Sequence, residues 1–218
     1  MRQLLAWLNT LVPLLAVGGG YGIALWQAQA PVCFPFWEGC TSISRAVREG
    51  DSLFWFRGLM LPLTPLLAGY WLLHRRWLNE LAGTEHRYLS LAILAVISAF
   101  ALALYANFLG SEGDVYRFMR RFGITFYFAF GLLGQLLALA ALKRQRAQLS
   151  SGQWRWVRTQ WACVIAQWLL GLASLAITIS QPDNKYELHN LVEWYFALAM
   201  VLFYGLNGLI WRDSQRPL

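Results

Sequence analysis

YLSLAILAVISAFALALYANFL, residues 88–109, decides the fold. The stretch holds no charged side chain, and coiled at 1.5 Å per residue it is about 33 Å long, enough to cross a hydrocarbon core of roughly 30 Å. Stretches of similar length and polarity recur at 4–26, 53–74, 122–142, 161–180 and 191–211. In lipid each segment must close its own backbone hydrogen bonds, and the alternation of a membrane barrel strand is absent, so helices are predicted. The fold class is all-α: a polytopic membrane protein with one bundle of six transmembrane helices over 1–218 and one long outer loop at 27–52.

Composition agrees. The chain is 58% hydrophobic and only 13% charged, too apolar for an ordinary soluble domain of its size. Of its 12 Trp, several fall at span ends, among them Trp26, Trp77, Trp161, Trp194 and Trp211, as expected of rings that collect where hydrocarbon meets headgroup. The first span follows a basic start at Arg2 and ends near Ala28-Gln29-Ala30, but it is longer than a signal-peptide core and Pro31 follows the Ala-x-Ala site. It is therefore expected to be retained as a span.

The net charge is +7, and most of the 18 Lys and Arg fall on one set of loops if the N-terminus is cytoplasmic. Arg75, Arg76, Arg87, Lys143, Arg144 and Arg146 are examples. The positive-inside rule then places both termini in the cytoplasm, with the basic face against anionic headgroups. Charge spread over loops beside lipid-embedded helices argues against a nucleic-acid partner.

The outer loop carries Cys33 and Cys40, for which an oxidising exterior favours a disulfide, two free thiols being the alternative. No CxxC pair, His cluster or Gly-rich phosphate loop is present, so no cofactor, no metal and no nucleotide is expected. His74 and His86 belong to the predicted inner face and His189 to the outer, too far apart to share a zinc ion.

Charges inside a span are costly and mark sites by default. Arg57 lies about one turn into the second span and Glu193 near the start of the sixth, at matching outer depths. They either pair across a shared polar site, or Arg57 snorkels to headgroups while Glu193 favours a helix N-terminus. From Glu193 a stripe of Ala197, Met200, Tyr204 and Asn207 descends one face, which is expected to look into the bundle. Pro62 and Pro65 leave the carbonyls of Gly58 and Leu61 without helical partners, so a kink that widens the outer half of the bundle is expected. Asn107, Arg117, Arg120, Arg121 and His189 lie at the same level, and together predict a positive-rimmed pocket for an anionic or zwitterionic lipid headgroup. For catalysis the candidates are Ser42, Ser44, His189 and Glu193, a hydroxyl, a base and a carboxylate able to converge, although each hydroxyl is equally a loop hydrogen-bonder.

Cys40-Thr41-Ser42-Ile43-Ser44, Trp55-Phe56-Arg57, Tyr70-Trp71, and His189-Asn190 with Glu193-Trp194 occur in this order around the spans. In them, and in span count and first-loop length, the chain resembles the six-span family of FRAG, DRAM and SFK proteins, which includes the post-GPI-attachment lipid-remodelling factor. The resemblance implies a role in membrane lipid for the outer-face residues Ser42, Ser44, Arg57, His189 and Glu193. With just two Lys against many Arg the chain reads as bacterial, where a GPI anchor is not the substrate. The expected function is binding, remodelling or passing on a lipid or lipid-linked glycan, by acyl transfer or hydrolysis if it is an enzyme, in a bacterial inner membrane or else a eukaryotic endomembrane. A non-catalytic scaffold that holds a membrane protein partner is the alternative, and an ion-coupled transporter ranks below both because no ionisable residue is expected near mid-membrane.

Overall fold

A computed structural model describes residues 1–85 and 87–213. Six long helices form the bundle: α1 (Arg2–Trp26), α4 (Gly50–Ala82), α5 (Leu89–Phe108), α6 (Asp114–Arg144), α7 (Ser151–Ser180) and α8 (Lys185–Asp213). Two single turns, α2 (Pro35–Glu38) and α3 (Ile43–Ala46), fold the long loop between α1 and α4. All six long helices are apolar and long enough to cross a membrane, and no strand occurs among the described residues. The protein is an all-α, multi-pass membrane protein.

The helices outrun the apolar stretches that announce them. α4 has 33 residues, about 50 Å of helix against a core of roughly 30 Å. It continues through His74-Arg75-Arg76-Trp77 because one face stays buried, with Trp77 and Leu78 packed inward. His74, at the end of the predicted second span, is fully buried within the bundle, with Nδ1 2.9 Å from Asn207 Nδ2. Tyr70, Trp71, Trp77 and Trp211 pack around it. An ionisable side chain thus lies between the helices of the bundle. His86 lies outside the described residues.

α1 packs between α4 and α8, α5 packs on α4 and α6, and α7 packs on α8. α5 and α6 approach closely at Gly123, where an added Cβ would sit 2.8 Å from the Tyr105 amide nitrogen. α7 starts in a capping box, Ser150 Oγ accepting from the Gln153 amide at 3.2 Å and Gln153 Oε1 from the Ser150 amide at 2.9 Å. Gln153, Gln160 and Gln167 then recur every seven residues on its buried face. They donate in turn to Ile210 O at 3.2 Å, Phe203 O at 3.0 Å and Gln135 Oε1 at 2.8 Å. Side-chain amides that donate across to neighbouring helices help hold them together where hydrophobic burial against lipid contributes little.

Arg2 pairs with Glu80 at 2.6 Å and Trp156 Nε1 donates to Asp213 Oδ2 at 3.2 Å, which gathers the starts of α1 and α7 and the ends of α4 and α8 at one terminal end. The cysteine loop covers the other. There Cys33 and Cys40 form a disulfide with Cα atoms 6.6 Å apart. Tyr21 donates to Cys33 O at 2.9 Å, and Phe36 packs on Trp194 at 5.1 Å. Asn190 Nδ2 donates to Gly39 O at 2.6 Å and Trp194 Nε1 to Thr41 O at 2.8 Å, fastening the loop onto the first turns of α8.

The proline seam does not open a cavity. Pro62 and Pro65 are exposed on the outside of α4, and Thr64 Oγ1 donates at 2.8 Å to Leu61 O, the carbonyl Pro65 leaves without a backbone donor.

Candidate functional site

The opening in the bundle lies instead between α6 and α7. These consecutive helices, joined at Arg146–Gln148, make few contacts with each other because α6 packs on α5 and α7 on α8. A cavity of about 950 Å³ fills the space they leave at the cysteine end, with α8 as its back wall. Gln167 reaches across to Gln135 in this region and joins the two helices. Ile124, Phe128 and Leu133 of α6 and Trp168 and Leu172 of α7 make apolar walls. Leu133, Trp168 and Leu172 are exposed, so the cleft is open between the two helices.

The mouth is cationic. Arg117, Arg120 and Arg121, one short stretch of α6, line it together with Arg48 from the turn after α3. Arg117 lies 3.6 Å from the exposed Asp114, and Arg120 Nη1 reaches Ser111 O at 3.5 Å. Arg48 Nε is buried without a hydrogen-bond partner among the described residues, an arrangement that leaves a donor available to a ligand. Sequence reading passed over Arg48 because it stands in the loop before the second span, where depth gives no hint that α3 folds back over the bundle.

Glu193 faces the same cavity and accepts from the Ser44 amide at 3.3 Å through Oε1. It has no ion-pair partner among the described residues. The side chain therefore holds α3 against α8. Ser44 lines the cavity, whereas Ser42 caps α3, its Oγ accepting from the Arg45 amide at 3.2 Å and lying 3.3 Å from Ser44 Oγ. Neither serine is hydrogen-bonded to His189. That imidazole meets α7: Nδ1 lies 3.1 Å from Ser174 Oγ and Nε2 lies 3.4 Å from Thr178 Oγ1.

Arg57 and Asn107 are elsewhere, which corrects the expected Arg57–Glu193 site. Arg57 Nε donates to Ala106 O at 3.2 Å and Nη2 to Asn107 O at 2.7 Å and to Leu109 O. These carbonyls belong to the last turn of α5, which ends before Gly110 at φ 81° and leaves them without intrahelical donors. Asn107 is exposed and contributes its backbone carbonyl to Arg57. Neither residue lines the cavity.

Ser174, Thr178 and Arg48 are thus the residues that sequence reading missed. The signal for Ser174 was available: a serine six residues before the end of a span, facing a histidine four residues into the next helix, follows from antiparallel packing of α7 on α8. No group of three or more His, Cys, Asp or Glu residues able to hold a metal ion occurs among the described residues. In comparison with known proteins, no family model matches this chain, and neither does any curated protein or solved structure.

Proposed function

We propose that the protein handles a membrane lipid or lipid-linked glycan, taking its phosphate-bearing headgroup at the arginine mouth and its acyl or isoprenoid chains into the cleft between α6 and α7. The observation that carries this reading is the joining of a four-arginine mouth to exposed apolar walls in one cavity of about 950 Å³. Guanidinium forks match phosphate oxygens, and a drug-sized or lipid-sized ligand fits a cavity of this size. A lone snorkelling arginine has no such apolar chamber beneath it. The distribution of Lys and Arg supports a cytoplasmic terminal end, so the cavity would open to the outer leaflet, of a bacterial inner membrane or alternatively a eukaryotic endomembrane. The resemblance of the local motifs to those of FRAG, DRAM and SFK proteins supports the same reading.

The test is native mass spectrometry of protein released from its own membrane. The wild-type chain should retain phospholipid or a polyprenyl phosphate, and the double replacement Arg120→Gln with Arg121→Gln should lower retention by about tenfold or more, at about 1 kcal/mol for each charge. Equal retention by both proteins would overturn the reading. A scaffold role draws support from α7, whose Ile165, Leu169, Leu175 and Ile179 are all exposed. A membrane protein partner seated there would co-purify with the wild type and be lost on introducing charge at Leu169.

A further inference from the structure

The hydrogen bonds around His189 set its tautomer. Thr178 Oγ1 donates its one proton to Ser174 O at 2.9 Å, the helical carbonyl one turn back. Toward His189 Nε2, 3.4 Å away, that hydroxyl is then only an acceptor, so Nε2 carries the ring proton. Nδ1 is left with its lone pair free and receives Ser174 Oγ–H at 3.1 Å. A hydroxyl donating to the basic nitrogen of an imidazole, whose other nitrogen is held by a third group, is the arrangement that activates a serine nucleophile. Ser174 and His189 both line the cavity, and Thr178 does not. The same chamber holds the arginines, cations able to steady a phosphate or a developing oxyanion.

We propose that Ser174 and His189 form a nucleophile–base pair that cleaves a carboxylic ester of a phospholipid in the α6–α7 cleft, with Thr178 as a positioning residue. The inference rests on the lipid-handling reading above. Ser174 Oγ attacks the ester carbonyl carbon and its proton passes to His189 Nδ1. The carbonyl–alkoxide bond breaks, the departing alkoxide takes that proton, and a lysolipid leaves an acyl-Ser174 behind. Water then attacks the acyl carbon, giving a proton to Nδ1. The bond to Ser174 Oγ breaks, Oγ recovers the proton, and a fatty acid is released. The hydroxyls bonded to the imidazole are those of Ser174 and Thr178, while Glu193 Oε1 accepts from the Ser44 amide.

An alkyl fluorophosphonate, applied to the full chain in vesicles of phosphatidylethanolamine and phosphatidylglycerol, tests the pair without depending on any variant. Intact-mass and peptide analysis should find one phosphonyl adduct, on Ser174. His189→Gln, which keeps a side-chain hydrogen-bonding group but removes the base, should slow labelling by about 100-fold or more. Ser180→Ala, on the same helix but outside the cavity, should label like wild type. Fatty-acid release from the vesicles should disappear with Ser174→Ala. Wild-type protein that retains phospholipid in native mass spectrometry yet takes no adduct on Ser174, or takes it at Ser42 or Ser44, overturns the inference and leaves the lipid-handling reading standing. Absence of retained lipid overturns that reading itself.

Discussion

The guanidinium of Arg57 donates to carbonyls at the end of α5 that no further helical turn would satisfy, and charge-assisted bonds of this kind are each worth about 1.5–3 kcal/mol. Arg57→Gln should therefore lower the midpoint of thermal unfolding in detergent, by an amount equivalent to about 2 kcal/mol, while lipid retained per folded molecule stays as in wild type. Loss of lipid without loss of stability would instead put Arg57 in the cavity. Glu193 separates its two roles by chemistry. Gln still offers an oxygen to the Ser44 amide, so Glu193→Gln should unfold close to wild type. Glu193→Leu leaves that donor unsatisfied and should cost about 1–3 kcal/mol, measured in the same unfolding experiment. The two charges lie at similar depths, about 10 Å into α4 and about 12 Å into α8. Depth was what the sequence made legible, through the distance of each residue from a span end. Azimuth was not, because α4 and α8 are apolar over most of their circumference, and azimuth is what turns Arg57 toward α5 and Glu193 toward α3.

At the scale of elements, glutamine spacing carries information that hydropathy discards. Gln153, Gln160 and Gln167 sit on the face of α7 that meets α8 and α6, and a seven-residue repeat keeps them on one seam. Gln160→Leu removes the donor to Phe203 O, and the expected cost is about 0.6 kcal/mol and at most about 1.7 kcal/mol, read as weaker association of α7 in a steric-trapping or chemical-unfolding assay. No measurable cost would mean that α7 is held by packing alone. The cysteine loop is the other element with a definite energy. Its disulfide closes a short loop across a separation of 7 residues, for which the chain-entropy model gives about 2–3 kcal/mol. Cys33→Ser with Cys40→Ser should lower thermal stability accordingly, and should expose the loop that Asn190 and Trp194 hold to limited proteolysis. The six spans were legible because each repeats the same apolar length. Their true ends were not, since α4 and α6 extend through charged stretches that stay helical for reasons of packing.

For the whole molecule, the decisive feature is that two helices adjacent in sequence are not close neighbours in the bundle. α6 follows α5 through the close approach at Gly123, while α7 follows α8 through its glutamines, and the cleft is what lies between the two pairs. The sequence named Arg117, Arg120, Arg121, His189 and Glu193 as one level of the bundle, and all five line this cavity. The proline seam misdirected the reading of where it would open, because a proline's missing donor can be answered locally, as Thr64 does for Leu61. Orientation is open to direct measurement: a reporter fused after residue 218 should be active only in the cytoplasm, and periplasmic or lumenal activity would invert the account. The most direct test of the central claim is photocrosslinking in membranes with a phospholipid carrying a photoactivatable acyl chain, followed by mapping of the adducts. They should concentrate on the walls of the cleft, at Leu132, Leu133, Trp168 and Leu172, and fall sharply when Arg120 and Arg121 are both replaced by Gln. Adducts spread evenly over the exposed faces of α1, α5 and α7, unchanged by the arginine replacements, would contradict it.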